Sequence, residues 1–393
     1  MPVPPLWRTV CALGVAQIIS WGSLFYTIAV LGSAMRRELG LSDIVLFGSF
    51  TAGLFLSGLA SPLVGREIDM HGGRRVLACG SLLGALAMAV LATAQGAFSM
   101  LAGWLLAGVA MAACLYDPAF ATLHQIAGSS YRRSVTALTL FGGFASTVFW
   151  PLSQFLLEAI GWRNAFAVYA GLHLLVCVPL HLLFVPRAHA ARPVAEAPHA
   201  ATTISARNGT VFAWLATALA LAAFLGSAMA AHIIDLLTAT GLTARDAVLV
   251  GSLIGPMQVA GRIMEFSFGR HLRALAVGTL AFVLMAIALA IFAQVHGLWI
   301  VALAFAVVYG WSNGVMTIVR GTVPAELFGH RGYGALLGRL ARPQFILKAI
   351  APVALTLLFV VDPTRVLTPY ALLLVAVAAL VAYRLAVAAA GHS

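Results

Sequence analysis

The chain has 393 residues, 62% of them hydrophobic and only 9% charged, and its mean hydropathy is +1.00. A soluble domain carries about 25% charged residues, so this composition excludes a water-soluble fold and makes lipid the solvent. The formal net charge of +11 does not point to nucleic acid, because the basic residues, all arginine except Lys348, fall mostly in short gaps between apolar segments and form no basic–aromatic stripe.

A helix needs about 20 apolar residues to cross the hydrocarbon layer. Twelve segments meet that length, at about 9–34, 44–65, 77–95, 98–126, 134–158, 164–185, 209–238, 246–268, 273–295, 298–320, 335–361 and 367–390. All are expected to be helices, because in lipid the backbone must satisfy its own hydrogen bonds. The fold class is therefore an all-α polytopic membrane protein. The start, "MPVPPLWRTV", carries one arginine and then a long apolar run without a cleavage site, which reads as an uncleaved first span. The four cysteines, Cys11, Cys79, Cys114 and Cys177, lie in apolar segments without metal spacing, so neither disulfide nor metal site is expected.

Span one contributes the aromatic residues Trp21 and Tyr26. Between spans two and three stands "GREIDMHGGRRV", residues 65–76, in which Gly65 and Gly72 let the backbone turn and Asp69 and Arg74 can form a charge network at helix ends. The bland reading is a tight basic turn. Span four holds "CLYDPAF", residues 114–120, with Tyr116 and Asp117; Asp117 is the one formally charged side chain between Val76 and Tyr131. Asp-Pro reads as an N-cap followed by a proline that opens a half-helix. It equally suits a proton carrier or ion partner, since an intramembrane charge costs about 2.5–3.5 kcal/mol and needs a reason. At 1.5 Å per residue Asp117 lies about 28 Å from Phe98 and about 13 Å from Ile126, in the inner half of its span.

Residues 186–208, rich in Pro and Ala, read as a flexible linker that divides the chain into residues 1–185 and 209–393, six spans each. In span seven, His232 and Asp235 share a helical face, either as a titrating pair or as polar groups near the headgroups. In span eight, Arg262 and Glu265 share a face; they either neutralise each other or leave the guanidinium for a carboxylate substrate. In span eleven, Lys348 lies about 22 Å from the inner start, too deep for easy snorkelling, and either binds an anion or pairs across helices with Asp235; Arg342 is nearer the inner end. Pro118, Pro151, Pro256 and Pro352 interrupt spans four, five, eight and eleven. With the N-terminus inside, fourteen basic residues face the cytoplasm and five face outward, which puts both termini in the cytoplasm.

With twelve spans split six and six, the 65–76 turn resembles the loop signature G-x-x-x-D-x-x-G-x-R of the major facilitator superfamily. "GWRNAF" (161–166) and "RRSVTALTLFGGFASTVFWP" (132–151) are similar to that superfamily too. The resemblance covers the whole chain and implies two pseudo-symmetric six-helix bundles, a bacterial-type transporter, and a role for Asp69 and Arg74 in holding the outward-open state. The equivalent turn after span eight, "GRHLRAL", lacks the aspartate. The nearest branch in pattern is that of monocarboxylate and oxalate/formate transporters. Where that branch has a first-span lysine this chain has Tyr26; where it has an Asp–Arg pair in span eight this chain has Gln258 and Arg262.

The expected function is secondary transport of a small solute, an organic anion, across the cytoplasmic membrane by alternating access, driven by protons in symport. There is no Walker A motif to power it with ATP. Proton-driven efflux of a drug or toxic compound is the alternative, although the fifth span lacks the G-x-x-x-G-P signature of drug/proton antiporters. A membrane enzyme or sensor is the remote one; there is no H-E-x-x-H, no G-x-S-x-G and no appended soluble domain. The expected partners are a small-molecule substrate, protons and the bilayer, with no nucleic acid and no cofactor, and the chain is expected to act as a monomer.

Overall fold

The computed structural model describes residues 5–187, 206–268, 271–329 and 332–391, and among them every regular element is helical. Span one is a continuous run of α1 (Leu6–Trp21), a π-helical turn (Gly22–Tyr26) and α2 (Thr27–Leu39). α3 (Asp43–His71) starts behind Ser42, whose hydroxyl accepts the Val45 amide at 3.3 Å, a side-chain cap for one of the orphan donors of a first turn. Only Gly72, at φ 78°, separates α3 from α4 (Gly73–Ala92). Span four is two helices, α5 (Ala97–Cys114) and α6 (Tyr116–Ala127). A 3₁₀ turn leads to α7 (Tyr131–Gly143) and α8 (Ala145–Leu172). Gly161 bends α8 with φ 77° and ψ 165°, a conformation that a side chain would strain. Its first part completes span five and its second part begins span six. A second π turn (His173–Cys177) and α9 (Val178–Phe184) complete that span.

The remaining helices are α10 (Ala206–Ala239), α11 (Ala244–Phe268), α12 (Ala274–Phe292), α13 (Trp299–Phe328), α14 (Tyr333–Val361) and α15 (Thr368–Gly391). Nine stretches among the described residues are long and apolar enough to cross a membrane. One of them, Ala97–Phe184, runs for 88 residues and contains spans four, five and six. α11 falls outside the nine; it is the helix that carries Arg262 and Glu265. Counted this way, the architecture is consistent with the twelve expected crossings. Most of the 186–208 linker lies outside the described residues.

The chain divides into two compact units, Met1–Arg192 with His330–Arg342, and Pro193–Gly329 with Pro343–Ser393. The first turns of α14 therefore group with the N-terminal helices rather than with the rest of their own helix. In the first unit α5 packs against α3 and α4, and α1 against α7, around the fully buried Trp104, Phe120, Phe166 and Tyr169. In the second, α13 packs against α11 and α12, and α10 against α15, around Phe282, Phe292, Phe305 and Tyr383. Lipid tails are as apolar as these side chains, so van der Waals fit and interhelical hydrogen bonds hold the helices together. Ser312 Oγ donates to the Ala281 carbonyl at 2.8 Å and Tyr383 to the Leu275 carbonyl at 3.0 Å.

The chain ends of three spans in the first unit are tied by one carboxylate. Glu38, at the end of α2, accepts Trp162 Nε1 at 2.6 Å and Arg163 Nε at 3.0 Å. Arg163 also reaches the Ala94 and Ala92 carbonyls after α4. The Trp162 hydrogen bond first, and the Arg163 guanidinium second, hold the Glu38 carboxyl below its ordinary range. A carboxylate depressed in the folded state adds stability above its unfolded pKa, and that stability is lost as pH falls through the folded value. Glu38→Gln is therefore expected to lower the melting temperature at pH 7, with the gap to wild type closing below about pH 4 in a pH series of thermal unfolding.

Candidate functional site

The break in span four follows from one residue. Pro118 has no N–H, so the Cys114 carbonyl one turn earlier loses its intrahelical donor. In lipid that carbonyl must find another. Gln17 of α1, fully buried, supplies it: its Nε2 donates to Cys114 O at 2.8 Å and to Leu115 O at 3.2 Å. Leu115 is extended and occupies the N-cap position of α6, with Tyr116, Asp117 and Pro118 as the first three helical residues. This corrects the reading of Asp117 as the cap. It is a first-turn acid, 8% exposed, in the position where the helix dipole favours negative charge.

A cavity of about 10 Å³ lies beside it, lined by Ser61, Gly65, Asp117, Pro118 and Gly334 among others; that is the lower limit for one water. Tyr116 stacks on Phe120 with ring centroids 5.3 Å apart and meets Trp21 at 5.2 Å. Trp21 in turn lies 6.2 Å from Tyr26 in the π turn. The structure thus brings together Tyr26, Trp21 and Tyr116, all picked out in the sequence, while Asp117 lines the small cavity with residues of α3 and α14.

The 65–76 turn does not work as expected in detail. Asp69 accepts two backbone amides from the first turn of α14, Gly334 N at 2.8 Å and Ala335 N at 2.7 Å. These amides, and not Arg74, are its hydrogen-bond partners; Arg74 sits half-buried in the first turn of α4. Amides at a helix start have no partner inside the helix, so a carboxylate there satisfies two orphans and meets the positive end of the dipole. Gly72 makes the turn, but Gly65 is inside α3. A Cβ on Gly65 would overlap the Gly334 carbonyl, so glycine is needed there for close packing.

In the second unit, Arg262 is buried, 4% exposed, with Nε toward Gly314 O at 3.4 Å and Nη2 toward Thr317 Oγ1 at 3.3 Å. Glu265, 6% exposed, is buried on the same helix. Pro352 removes the donor for the Lys348 carbonyl in α14, and Ser227 Oγ of α10 replaces it at 2.7 Å. One turn further along, His232 Nε2 meets the Pro352 carbonyl at 3.1 Å. His232 Nδ1 and Asp235 Oδ2 are 3.9 Å apart, with Asp235 exposed. Lys348 is half-buried, its Nζ 5.9 Å from the centre of the Phe345 ring. Among the described residues no group of three His, Cys, Asp or Glu could hold a metal ion.

The sequence profile of the Major Facilitator Superfamily matches residues 13–273. The chain belongs to the major facilitator superfamily. It is a multi-pass secondary transporter, not an enzyme. No curated protein matches this facilitator by sequence. Among solved structures it is similar to the crystal structure of the human organic anion transporter MFSD10 (TETRAN), with 17% identity and a TM-score of 0.72, over 98% of this chain and 100% of that one.

Three structural residues escaped the sequence reading: Gln17, Ser227 and His173. His173 Nε2 meets Ser23 Oγ at 2.7 Å, joining the two π turns of spans one and six. Each is an uncharged polar residue in an apolar run, a signal fainter than charge but visible. Gln17→Leu is expected to cost about 1–3 kcal/mol by leaving the Cys114 carbonyl unsatisfied, and Ser227→Ala about 1 kcal/mol at Lys348, both read by thermal unfolding in detergent.

Proposed function

We propose that this facilitator carries a small organic anion across the cytoplasmic membrane of a bacterial-type cell, in symport with protons, as a monomer with both termini in the cytoplasm. The observation that supports the anion is the buried guanidinium of Arg262, whose plane is held by Gly314 O and Thr317 Oγ1. A planar fork fixed in this way matches a carboxylate with two parallel hydrogen bonds. Lys348, on a proline-interrupted helix, is the second cation in reach of this reading, with His232 and Asp235 as the titratable pair on α10. The human structural neighbour is an organic anion transporter, which agrees with this reading.

Asp117 is the proposed proton site. Its charge is costly in a span, so binding and releasing a proton changes the free energy of burying it by an amount a transport cycle can use. In this reading residues 1–185 and 209–393 move as the two six-helix bundles, and the Asp69 contact at the start of α14 holds the outward-open state. The monocarboxylate and oxalate/formate branch is the nearest in pattern. One observation favours the second reading, proton-driven efflux of an amphipathic compound: the ring cluster of Trp21, Tyr26 and Tyr116.

A thermal-shift screen of the purified protein against organic acids, amino acids, sugars and common toxins tests the substrate class. An organic acid at 100 times its Kd should add about 2.7 kcal/mol of stability, and Lys348→Gln and Arg262→Gln should each remove most of that shift. Stabilisation by cationic or neutral amphipaths alone would replace uptake of an anion with efflux. Asp117→Asn is expected to abolish the pH dependence of uptake of the acid so identified, measured in proteoliposomes; uptake that keeps its wild-type pH profile would leave Asp117 as a structural first-turn acid.

A further inference from the structure

The π turn of span one gathers rings that an α-helical repeat would part. In an α-helix the residue four places on lies over the first, and the next one points off to the side. A π turn closes at five residues, so both positions return to the first. Phe25 lies 5.3 Å from Trp21 and Tyr26 lies 6.2 Å from it, between ring centroids. Phe25 and Tyr26 are themselves 5.4 Å apart, with planes at 87°. Phe50 of α3 joins them, 5.6 Å from Phe25 at 58°, and backs onto Trp104 at 4.9 Å.

Polar side chains hold this turn. Ser23 Oγ meets His173 Nε2 and donates to the Ile19 carbonyl, both at 2.7 Å, and Thr27 Oγ1 donates to the Ser23 carbonyl at 2.8 Å. Gly84 leaves room for the imidazole, since a Cβ there would come within 2.9 Å of it. π turns are rare and collect at functional sites. What this one gains is not burial. Trp21 and Trp104 are buried behind the set, but Phe25, Tyr26 and Phe50 are only half-buried.

Their open side does not face lipid. On α3, Phe50 shares its face with Leu46 and Ser57, both buried, while Phe55 and Leu59 are exposed on the other side. Tyr26 lies about 30 Å from Leu6 and about 20 Å from Leu39 along span one, away from the headgroup level where lipid-facing tyrosines gather. Neither residues 9–35 nor residues 44–65 carry a charged side chain, so these two spans offer no acid to hold a cation.

We propose that the open side of Phe25, Tyr26 and Phe50 seats the flat ring of an aromatic carboxylate. This rests on the anion reading of Arg262 and names the body that goes with the charge. Steeply inclined rings offer a guest both a face and an edge. An aromatic ring takes both, in offset-stacked or edge-to-face contact at about 4.5–7 Å. A saturated ring of the same size finds only apolar surface there. Ser23 and His173 are positioning residues, which act through the turn that aims the rings.

Calorimetric titration of the purified full-length protein with benzoate and with cyclohexanecarboxylate tests this. The two share a carboxylate and a six-membered ring, and only benzoate is aromatic. Benzoate is expected to bind about three- to tenfold more tightly. Phe50→Leu and Phe25→Leu are each expected to bring the two affinities within about twofold, through loss of benzoate binding. If Phe25→Leu fails to fold, Phe50→Leu carries the test. Equal affinities in the wild type, or a benzoate preference that survives in the variants, overturns the ring seat and leaves the anion reading standing. Binding of acetate or succinate without benzoate does the same. Binding of no carboxylate, or tighter binding of benzylammonium than of benzoate, overturns both.

Discussion

In hydrocarbon a backbone carbonyl that loses its hydrogen bond has no water to turn to. The chain places prolines inside its spans, and each creates such a carbonyl four residues earlier. At Pro118 and Pro352 the structure shows the remedy. A polar side chain from a neighbouring helix in the same unit, Gln17 or Ser227, donates to the orphan. The break then becomes a fixed feature. At Pro118 that fixture sets Leu115 extended and begins a new helix, with Asp117 in its first turn. The acid is held by the consequences of a missing N–H.

Much of this was legible in the sequence. Apolar run length marked the spans, and the Asp-Pro pair marked the break within one or two residues of Leu115. Of the charged residues that stand out in apolar runs, Asp117 and Arg262 are buried, Lys348 is half-buried and Asp235 is exposed. What could not be read was partnership. Sequence spacing pairs Asp69 with Arg74, its near neighbour in the chain, but its partners are amides more than 260 residues away. Spacing along one helix predicts shared faces, as with His232 and Asp235; it says nothing about which distant backbone group needs an acceptor. Gly65 is hidden for the same reason. Its position near a turn suggested backbone freedom, whereas the need comes from another chain segment pressed against it.

The two π turns belong to the same class of hidden feature. Gly22 opens the π turn Gly22–Tyr26 and Pro179 follows His173–Cys177 by two residues, yet neither breaker announces a π turn rather than a kink, and the two turns meet through Ser23 and His173. Ser23 Oγ also donates to the Ile19 carbonyl at 2.7 Å. With its one proton used there, the hydroxyl accepts from His173 Nε2, which fixes the tautomer of a fully buried imidazole. An extra residue in a helical turn leaves local hydrogen bonding irregular, and in both spans a polar side chain stands where the irregularity occurs.

The two carbonyl repairs share an ordering that bears on how the protein is made. Gln17 precedes Cys114 in the chain, and Ser227 precedes Lys348. A ribosome therefore releases the donor helix first in each case. By the time a proline-interrupted helix leaves the insertion machinery, the side chain that caps its exposed carbonyl is already in the bilayer. The reverse order would leave a bare polar group among lipid tails until its partner was synthesised. Moving either donor to a later helix would keep the finished contact, yet it would lengthen the interval in which the nascent chain is open to misinsertion.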